Sequence, residues 1–412
     1  MATLASDGGT KTRTVPWPAR HLFGEAEKAA AVNLFEQSIS SGNAFGYNGP
    51  PEEEYRRRFA EYLGGGLAHT VNSGTSAVLA AVAGLGLEPF SEVVVPPITD
   101  PGGVMPVALL NLIPVVADAT PGSYNLGAAQ VEAVLTERTR AILVAHIAGE
   151  PVDLDPILEL ARRHNLKVVE DCAQSHGATY HGQLVGTLGD IAAFSTMSGK
   201  HHATGAQGGV VYSRHEEYFW RARRFADRGK PFNTDSPTNV TAGLNLNLND
   251  LSAAIGLVQL DRLPDMVARR QAVGEAVREG LAKVDGVGLG WQAPNSQSAY
   301  WFLRVFVDPN AFTVDMATFI KAVSAEGIPV GWPYATVTPE GRWFQEQHVF
   351  GTPGMPWSAA EYRGERRPTY PCPIAHESRH THFNVGVHEN CGPAEAADVV
   401  AAVSKVAAAF RR

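Results

Sequence analysis

From residue 67 onward the chain alternates short runs of β-branched residues with longer amphipathic segments, and no other feature narrows the possible fold so far. His69-Thr-Val-Asn72 precedes a helical pattern over 76–85, Glu92-Val-Val-Val95 one over 102–110, and Pro114-Val-Val-Ala117 one over 128–135. Ala141-Ile-Leu-Val-Ala-His146 then precedes a pattern over 154–164, and Lys167-Val-Val-Glu170 follows. Strands that are apolar throughout and joined by helical crossovers build an α/β fold with a mostly parallel central sheet and helices on both faces. Ligands on such sheets bind at the carboxyl ends of the strands, so Ser73, Asp100 and Asp171, each just after a strand end, are expected to converge on one crevice.

A chain of 412 residues with 44% hydrophobic content exceeds one hydrophobic core, so two domains are expected. The division is placed at 1–265, a large domain with an N-terminal arm over about 1–22, and 266–412, a smaller α+β domain. A heavily apolar helix over 248–273 leads from one to the other, with Leu251, Ala254, Ile255, Leu257, Val258 and Leu260 at mixed spacings of three and four. Beyond it, 300–307 reads as an apolar strand and 393–410 as a helix of small apolar residues. The stretch 332–373, rich in Pro, Gly and aromatics without a period, reads as a long surface loop.

The net charge of −8 and the lack of a basic stripe argue against a nucleic-acid partner. No run of about eighteen apolar residues and no basic-then-apolar start is found, so neither membrane insertion nor secretion is expected. Cys172, Cys372 and Cys391 are odd in number, far apart and without Cys-x-x-Cys spacing, which disfavours disulfides and thiolate zinc sites and fits a cytoplasmic protein.

Lys200 stands in a stretch whose residues 191–199 carry no charge. Most lysines are solvated; one in such surroundings is partly desolvated, with a lowered pKa and an amine free to attack an aldehyde or move a proton. Asp171 ends the strand 167–170 and is either a strand-end cap or an anion placed against a cofactor's pyridine nitrogen. Ser73-Gly-Thr-Ser76 opens a helix after a strand: taken alone it is more often an N-cap than a phosphate site, although its free N–H groups and the helix dipole favour a phosphate. With Ser195 beside it and Gln174 able to reach a ring oxygen, the set provides what pyridoxal 5'-phosphate requires. His201 and His202 are either an acid and base or fillers of the turn. His376, His380, His382 and His388 lack the carboxylate or cysteine that completes a ligand pattern, so no metal is expected.

Further motifs appear in order along the chain: Glu54-Tyr-Arg-Arg-Arg-Phe-Ala-Glu-Tyr-Leu63 leading to Asn72-Ser-Gly-Thr75; Tyr124-Asn-Leu126; Val144-Ala-His-Ile-Ala-Gly149; and Glu170-Asp-Cys-Ala-Gln-Ser-His-Gly177. Phe194-Ser195 follows with lysine five residues after the serine, then Gly243-Leu-Asn245 and Leu251-Ser-Ala-Ala-Ile-Gly-Leu-Val-Gln-Leu260. In this order they resemble the DegT/DnrJ/StrS sugar aminotransferases, fold-type I pyridoxal phosphate enzymes that aminate keto-sugars and cyclitols. The resemblance implies Lys200 as the Schiff-base lysine, Asp171 as partner of the pyridine nitrogen and Gln174 as neighbour of the ring oxygen. It implies Gly74, Thr75 and Ser195 as phosphate ligands. It also implies Asn245 as an asparagine reaching the phosphate held by the other subunit of a homodimer.

Three positions depart from the family pattern. Asp100 stands about where an aromatic usually stacks on the ring, Thr204-Gly-Ala-Gln-Gly-Gly209 replaces a form containing glutamate, and Asn247 replaces a common arginine. The activity expected is transfer of an amino group from glutamate or glutamine to a keto-sugar, ketocyclitol or similar polyhydroxylated ketone, with Arg228 a candidate for gripping the donor carboxylate. Alternatives are a dehydratase or aromatising synthase of the aminohydroxybenzoate type, to which Ser198-Gly-Lys200 points, and a cofactor-binding regulator without catalysis.

Overall fold

The computed structural model describes residues 3–334 and 337–412. Residues 1, 2, 335 and 336, at the start of the arm and inside the 332–373 stretch, lie outside the described residues. Helices α1 (Glu25–Ser41) and α2 (Pro50–Tyr62) open the chain; Pro50 stands at the first position of α2, where its missing N–H is no loss. The alternating stretch then gives β1 (Leu67–Val71), α3 (Gly74–Gly84), β2 (Glu92–Val95), α4 (Met105–Leu109), β3 (Ile113–Val116) and α5 (Ala128–Glu132). It continues through β4 (Thr139–Ala145), α6 (Leu154–His164) and β5 (Lys167–Asp171). A hairpin, β6 (Thr179–Tyr180) and β7 (Gln183–Leu184), leads to β8 (Ile191–Ser195), β9 (Gly209–Ser213) and α7 (Glu216–Ala226).

Seven of these strands form one sheet in the order β1-β9-β8-β5-β4-β2-β3, in which only β9 runs against its neighbours. Both faces are covered. Val93, Val95, Leu143 and Val169 pack towards α3 and α4, while Val94, Ile142, Val144 and Val168 pack towards α2, α6 and the next helix. The two sets alternate along β2 and β4, as strands buried on both faces require.

That next helix, α8 (Asp250–Leu281), is longer than the sequence pattern suggested and runs without a break past residue 265. Its first turn is capped by Asn249, whose side chain accepts from Ser252 N–H at 2.8 Å. After it come β10 (Val287–Leu289), β11 (Ser296–Gln297), β12 (Phe302–Val307), α9 (Met316–Ala325), β13 (Val330–Gly331), α10 (Arg342–Gln345), α11 (Pro373–Thr381), β14 (His382–Gly386) and α12 (Pro393–Phe410). Strands β10, β12, β14 and β13 form an antiparallel sheet whose core, with Val277, Leu303, Phe319 and Val403, is separate from those of the large sheet. Leu4 of the arm is buried in this core, and Arg13 pairs with Glu395 and Asp398 of α12.

The described part of the 332–373 stretch is not only a surface loop. Val337, Phe344, Trp357, Ala359, Tyr362 and Cys372 are buried against the β2–β3 side of the large sheet. Tyr362 donates its hydroxyl to Glu92 at 2.8 Å. Single aromatic anchors, not a continuous face, do the burying, so the segment has no period to read.

Candidate active site

The register sets Ala145, Asp171 and Ala193 side by side on β4, β5 and β8, so the ends of three parallel strands open onto the same crevice. Gly74, Thr75, Asp171, Gln174, Ser195 and Lys200 all line one cavity there, of about 220 Å³. Ser73, Thr99, Asp100, His146 and Gln207 add to the polar part of its wall.

At one end lies the start of α3. Ser73 caps it, its hydroxyl oxygen accepting from Ser76 N–H at 3.1 Å and its carbonyl from Ala77 N–H at 3.0 Å. Capping thus uses Ser73 and leaves the N–H groups of Gly74 and Thr75 as open donors at the positive end of the helix. A side chain on Gly74 would place its Cβ 2.6 Å from the Ser195 Cβ and 2.8 Å from its hydroxyl oxygen. Only glycine lets the helix start and the end of β8 meet, and the resulting concavity of two backbone donors and a hydroxyl suits a phosphate.

Asp171 and Lys200 are both buried. Burial raises the pKa of the Asp171 carboxyl, while the Ala173 N–H, at 2.9 Å from Oδ1, and the Lys200 amine pull it down. Burial pushes the Lys200 amine down to about 8, against the opposing pull of Asp171 and then Asp100. Such an amine is part neutral near physiological pH, as a nucleophile or proton carrier requires.

Gln174 has a fixed orientation: its Oε1 accepts from Ala148 N–H at 2.9 Å and its Nε2 donates to the Tyr334 hydroxyl at 2.6 Å. One N–H of the amide therefore remains to offer. Asp100 accepts from Gly102 N–H at 2.9 Å, capping a short 3-10 turn over Pro101–Gly103 where the family pattern has an aromatic.

Asn245 does not join this group. It is exposed, outside the cavity, and accepts from Asn247 Nδ2 at 2.8 Å. Arg228 is also outside the cavity, bound to Asp227 at 2.8 Å and to the Tyr47 hydroxyl at 2.6 Å. His201 and His202 are buried but not on the cavity wall: His201 Nε2 meets Ala299 O at 2.9 Å and His202 Nε2 meets the Tyr55 hydroxyl at 2.7 Å. Burial lowers the pKa of both, so they fill the underside of the lysine loop as neutral rings. The four C-terminal histidines form no ligand cluster among the described residues. The cluster that does occur there, His146, Glu170 and Cys172, is fully buried and already engaged. Glu170 accepts from Gly186, Leu188 and Gly189 N–H groups and meets His146 Nε2 at 3.2 Å, while His146 Nδ1 accepts from Val152 N–H at 3.0 Å.

The sequence reading missed Trp301, Tyr334 and Arg20. Trp301 lies against the lysine, its ring centroid 3.8 Å from Nζ. Arg20 of the arm donates to the carbonyl oxygens of Lys200 at 2.6 Å and Ser198 at 3.1 Å and pairs with Glu389. The only available signal for Trp301 was an indole beside a glycine-rich loop partner, which local pattern cannot show.

Sheet order, strand-end carboxylate and buried lysine define the fold-type I aminotransferase class. The chain belongs to the DegT/DnrJ/EryC1/StrS aminotransferase family, whose profile matches residues 25–404. It is 34% identical over 289 residues to GDP-perosamine synthase of Caulobacter vibrioides, covering 69% of this chain and 77% of that one. It is 33% identical over 356 residues to the L-glutamine:2-deoxy-scyllo-inosose aminotransferase of Streptomyces lividus, covering 82% of each. The crystal structure of an aminotransferase from Psychrobacter cryohalolentis superposes with a TM-score of 0.83 at 27% identity, covering 97% of this chain and all of that one.

Proposed function

We propose that this aminotransferase uses pyridoxal 5'-phosphate anchored on Lys200 to move an amino group from glutamate or glutamine to a keto-sugar, ketocyclitol or similar polyhydroxylated ketone. One observation carries the proposal: a desolvated lysine, a buried carboxylate and an open helix N-terminus share a single cavity. The relatives named for amino-sugar and inosose chemistry support the choice of ketone.

In this reading Gly74, Thr75 and Ser195 would hold the phosphate. Asp171 would lie against the ring nitrogen and keep it protonated, and the free N–H of Gln174 would meet the ring oxygen. When bound, the cofactor supplies an aldehyde to take up nitrogen and a ring to take up electrons from the substrate carbon. Lys200 carries the proton between carbon atoms at its Nζ. Its lowered pKa suits both receipt and release near neutral pH.

The working unit is a homodimer in the cytoplasm, with Asn245 reaching the partner's phosphate. Exposed Val32, Phe35 and Ile39 form a stripe on α1, and Leu244 is exposed next to Asn245; these apolar groups support an interface. The large domain, 1–265, holds the cofactor, and 266–412 adds Trp301 and Tyr334 beside it, with α8 shared between them. Among the described residues no helix is long and apolar enough to cross a membrane.

The test is nitrogen transfer. Purified protein is incubated with amine-labelled glutamate or glutamine and a panel of keto-sugars and ketocyclitols. Label in the product supports the proposal. Product formed with all label left on the donor would instead show the dehydratase or aromatising reaction, and cofactor binding without turnover of any pair would favour a regulator.

A further inference from the structure

Lys200 makes no ion pair within 4.0 Å among the described residues, although two carboxylates line its cavity. Asp171 Oδ1 is occupied by Ala173 N–H and Asp100 Oδ1 by Gly102 N–H. The group against its Nζ is the face of Trp301, 3.8 Å from the ring centroid.

The backbone of Trp301 is fixed by two close approaches, and its indole by one hydrogen bond. Trp301 N–H donates to Ala148 O at 2.8 Å, and its Nε1 donates to Gly199 O, one residue before the lysine, also at 2.8 Å. Gly149, with φ at +87°, lets the backbone come so close that a Cβ there would stand 3.0 Å from Trp301 N. The loop that carries the lysine and the ring beneath its amine are therefore fixed to each other. A cation above an aromatic face is attracted by the ring quadrupole, most strongly for Trp and in desolvated surroundings.

We propose that Trp301 is a positioning residue for Lys200, its indole face being the resting place of the protonated amine whenever the lysine is not covalently engaged. The inference rests on the assignment of Lys200 as the cofactor's anchor. The face stabilises the ammonium form, holds it beside the reacting carbon and sets how readily it gives up its proton. The other groups facing Lys200 are Asp171 at the end of β5, Asp100 in the loop after β2, and His176, which burial lowers to about 4 and so leaves neutral. Arg20 touches only the backbone oxygen of the lysine.

The test uses the cofactor-free full-length protein and follows the rate at which added pyridoxal phosphate gives the lysine-linked absorbance, as a function of pH, in wild type, Trp301→Leu and Trp301→Phe. Only the neutral amine attacks, so the profile reports the pKa of Lys200. Trp301→Leu should capture cofactor faster than wild type at pH 7, by roughly two- to eightfold, and reach its plateau at lower pH. Trp301→Phe, which keeps an aromatic face but loses the bond to Gly199, should shift by less than half as much. Equal shifts in the two variants, or no shift in either, overturn the proposal, because loss of the Gly199 tie or of bulk alone would then explain the data. A wild-type protein that never develops the absorbance would instead defeat the assignment of Lys200 itself. A measurement independent of either variant's folding is NMR of lysine labelled at Cε in the wild-type protein. The Lys200 signal, identified by its loss in Lys200→Arg, should lie upfield of the other lysines through the indole ring current, and a position among them would count against the contact.

Discussion

Lys200 pulls stability and chemistry in opposite directions. Its side chain is 7% exposed, and burial outweighs two nearby carboxylates to bring the amine to about 8 from an ordinary value of 10.5. Below pH 8 the amine is charged both folded and unfolded, and the folded chain bears the whole cost of desolvation. Between 8 and 10.5 the unfolded chain holds a proton that the folded chain has given up, so stability rises with pH and the cost disappears. Lys200→Met in the cofactor-free protein should therefore unfold at higher temperature than wild type at pH 7, with a gain on the order of 3 kcal/mol that shrinks towards pH 10. A gain that stays constant over that range would show that the charge is not what the fold resists. Gly74 is the second decisive residue. Its substitution by Ala would press on Ser195 at 2.6 Å and spoil the phosphate concavity. Cofactor affinity should fall at least about tenfold, a loss of about 1.4 kcal/mol, with circular dichroism unchanged. Affinity equal to wild type would remove these residues from phosphate binding.

Regular elements were legible because their periods were. The pattern over 154–164 became α6 at Leu154–His164, and the pattern over 393–410 became α12 at Pro393–Phe410. The strand ends placed Asp171, Ser195 and the start of α3 within one crevice, since a parallel sheet leaves their carboxyl ends little choice. What stayed hidden depended on contacts between distant segments. Trp301 read as one more apolar strand residue, yet β12 begins only at Phe302, and Tyr300 takes a left-handed conformation, with φ at +45°, just before it. His201 and His202 sit next to the lysine in sequence but turn into the protein, where Ala299 and Tyr55 receive them. The segment over 337–372 escaped because isolated anchors leave no pattern. Trp357, 0% exposed, is the clearest of them. Trp357→Ala should destabilise the protein by about 3–5 kcal/mol, read as a fall in the midpoint of thermal or denaturant unfolding. A change within about 0.5 kcal/mol is what a true surface loop would give.

At the scale of the molecule, the cavity lies wholly within the large-sheet part of the chain, and residues after α8 also contribute to the setting of Lys200. The large sheet supplies the lysine, the carboxylate and the helix start. The C-terminal unit supplies Trp301 under the amine and Tyr334 on Gln174. The arm adds Arg20, which joins the lysine loop to Glu389, itself paired with Arg270 of α8 at 2.9 Å. A lysine held from three parts of the chain has its position fixed before any ligand arrives, which is the preorganisation that covalent catalysis uses. The most direct measurement is borohydride reduction of the protein with its cofactor, followed by proteolysis and mass mapping. A single pyridoxyl group on the peptide that contains Lys200, absent from Lys200→Ala, is the result expected. A label on another lysine, or an unchanged label in Lys200→Ala, would contradict the placement of the active site in this cavity.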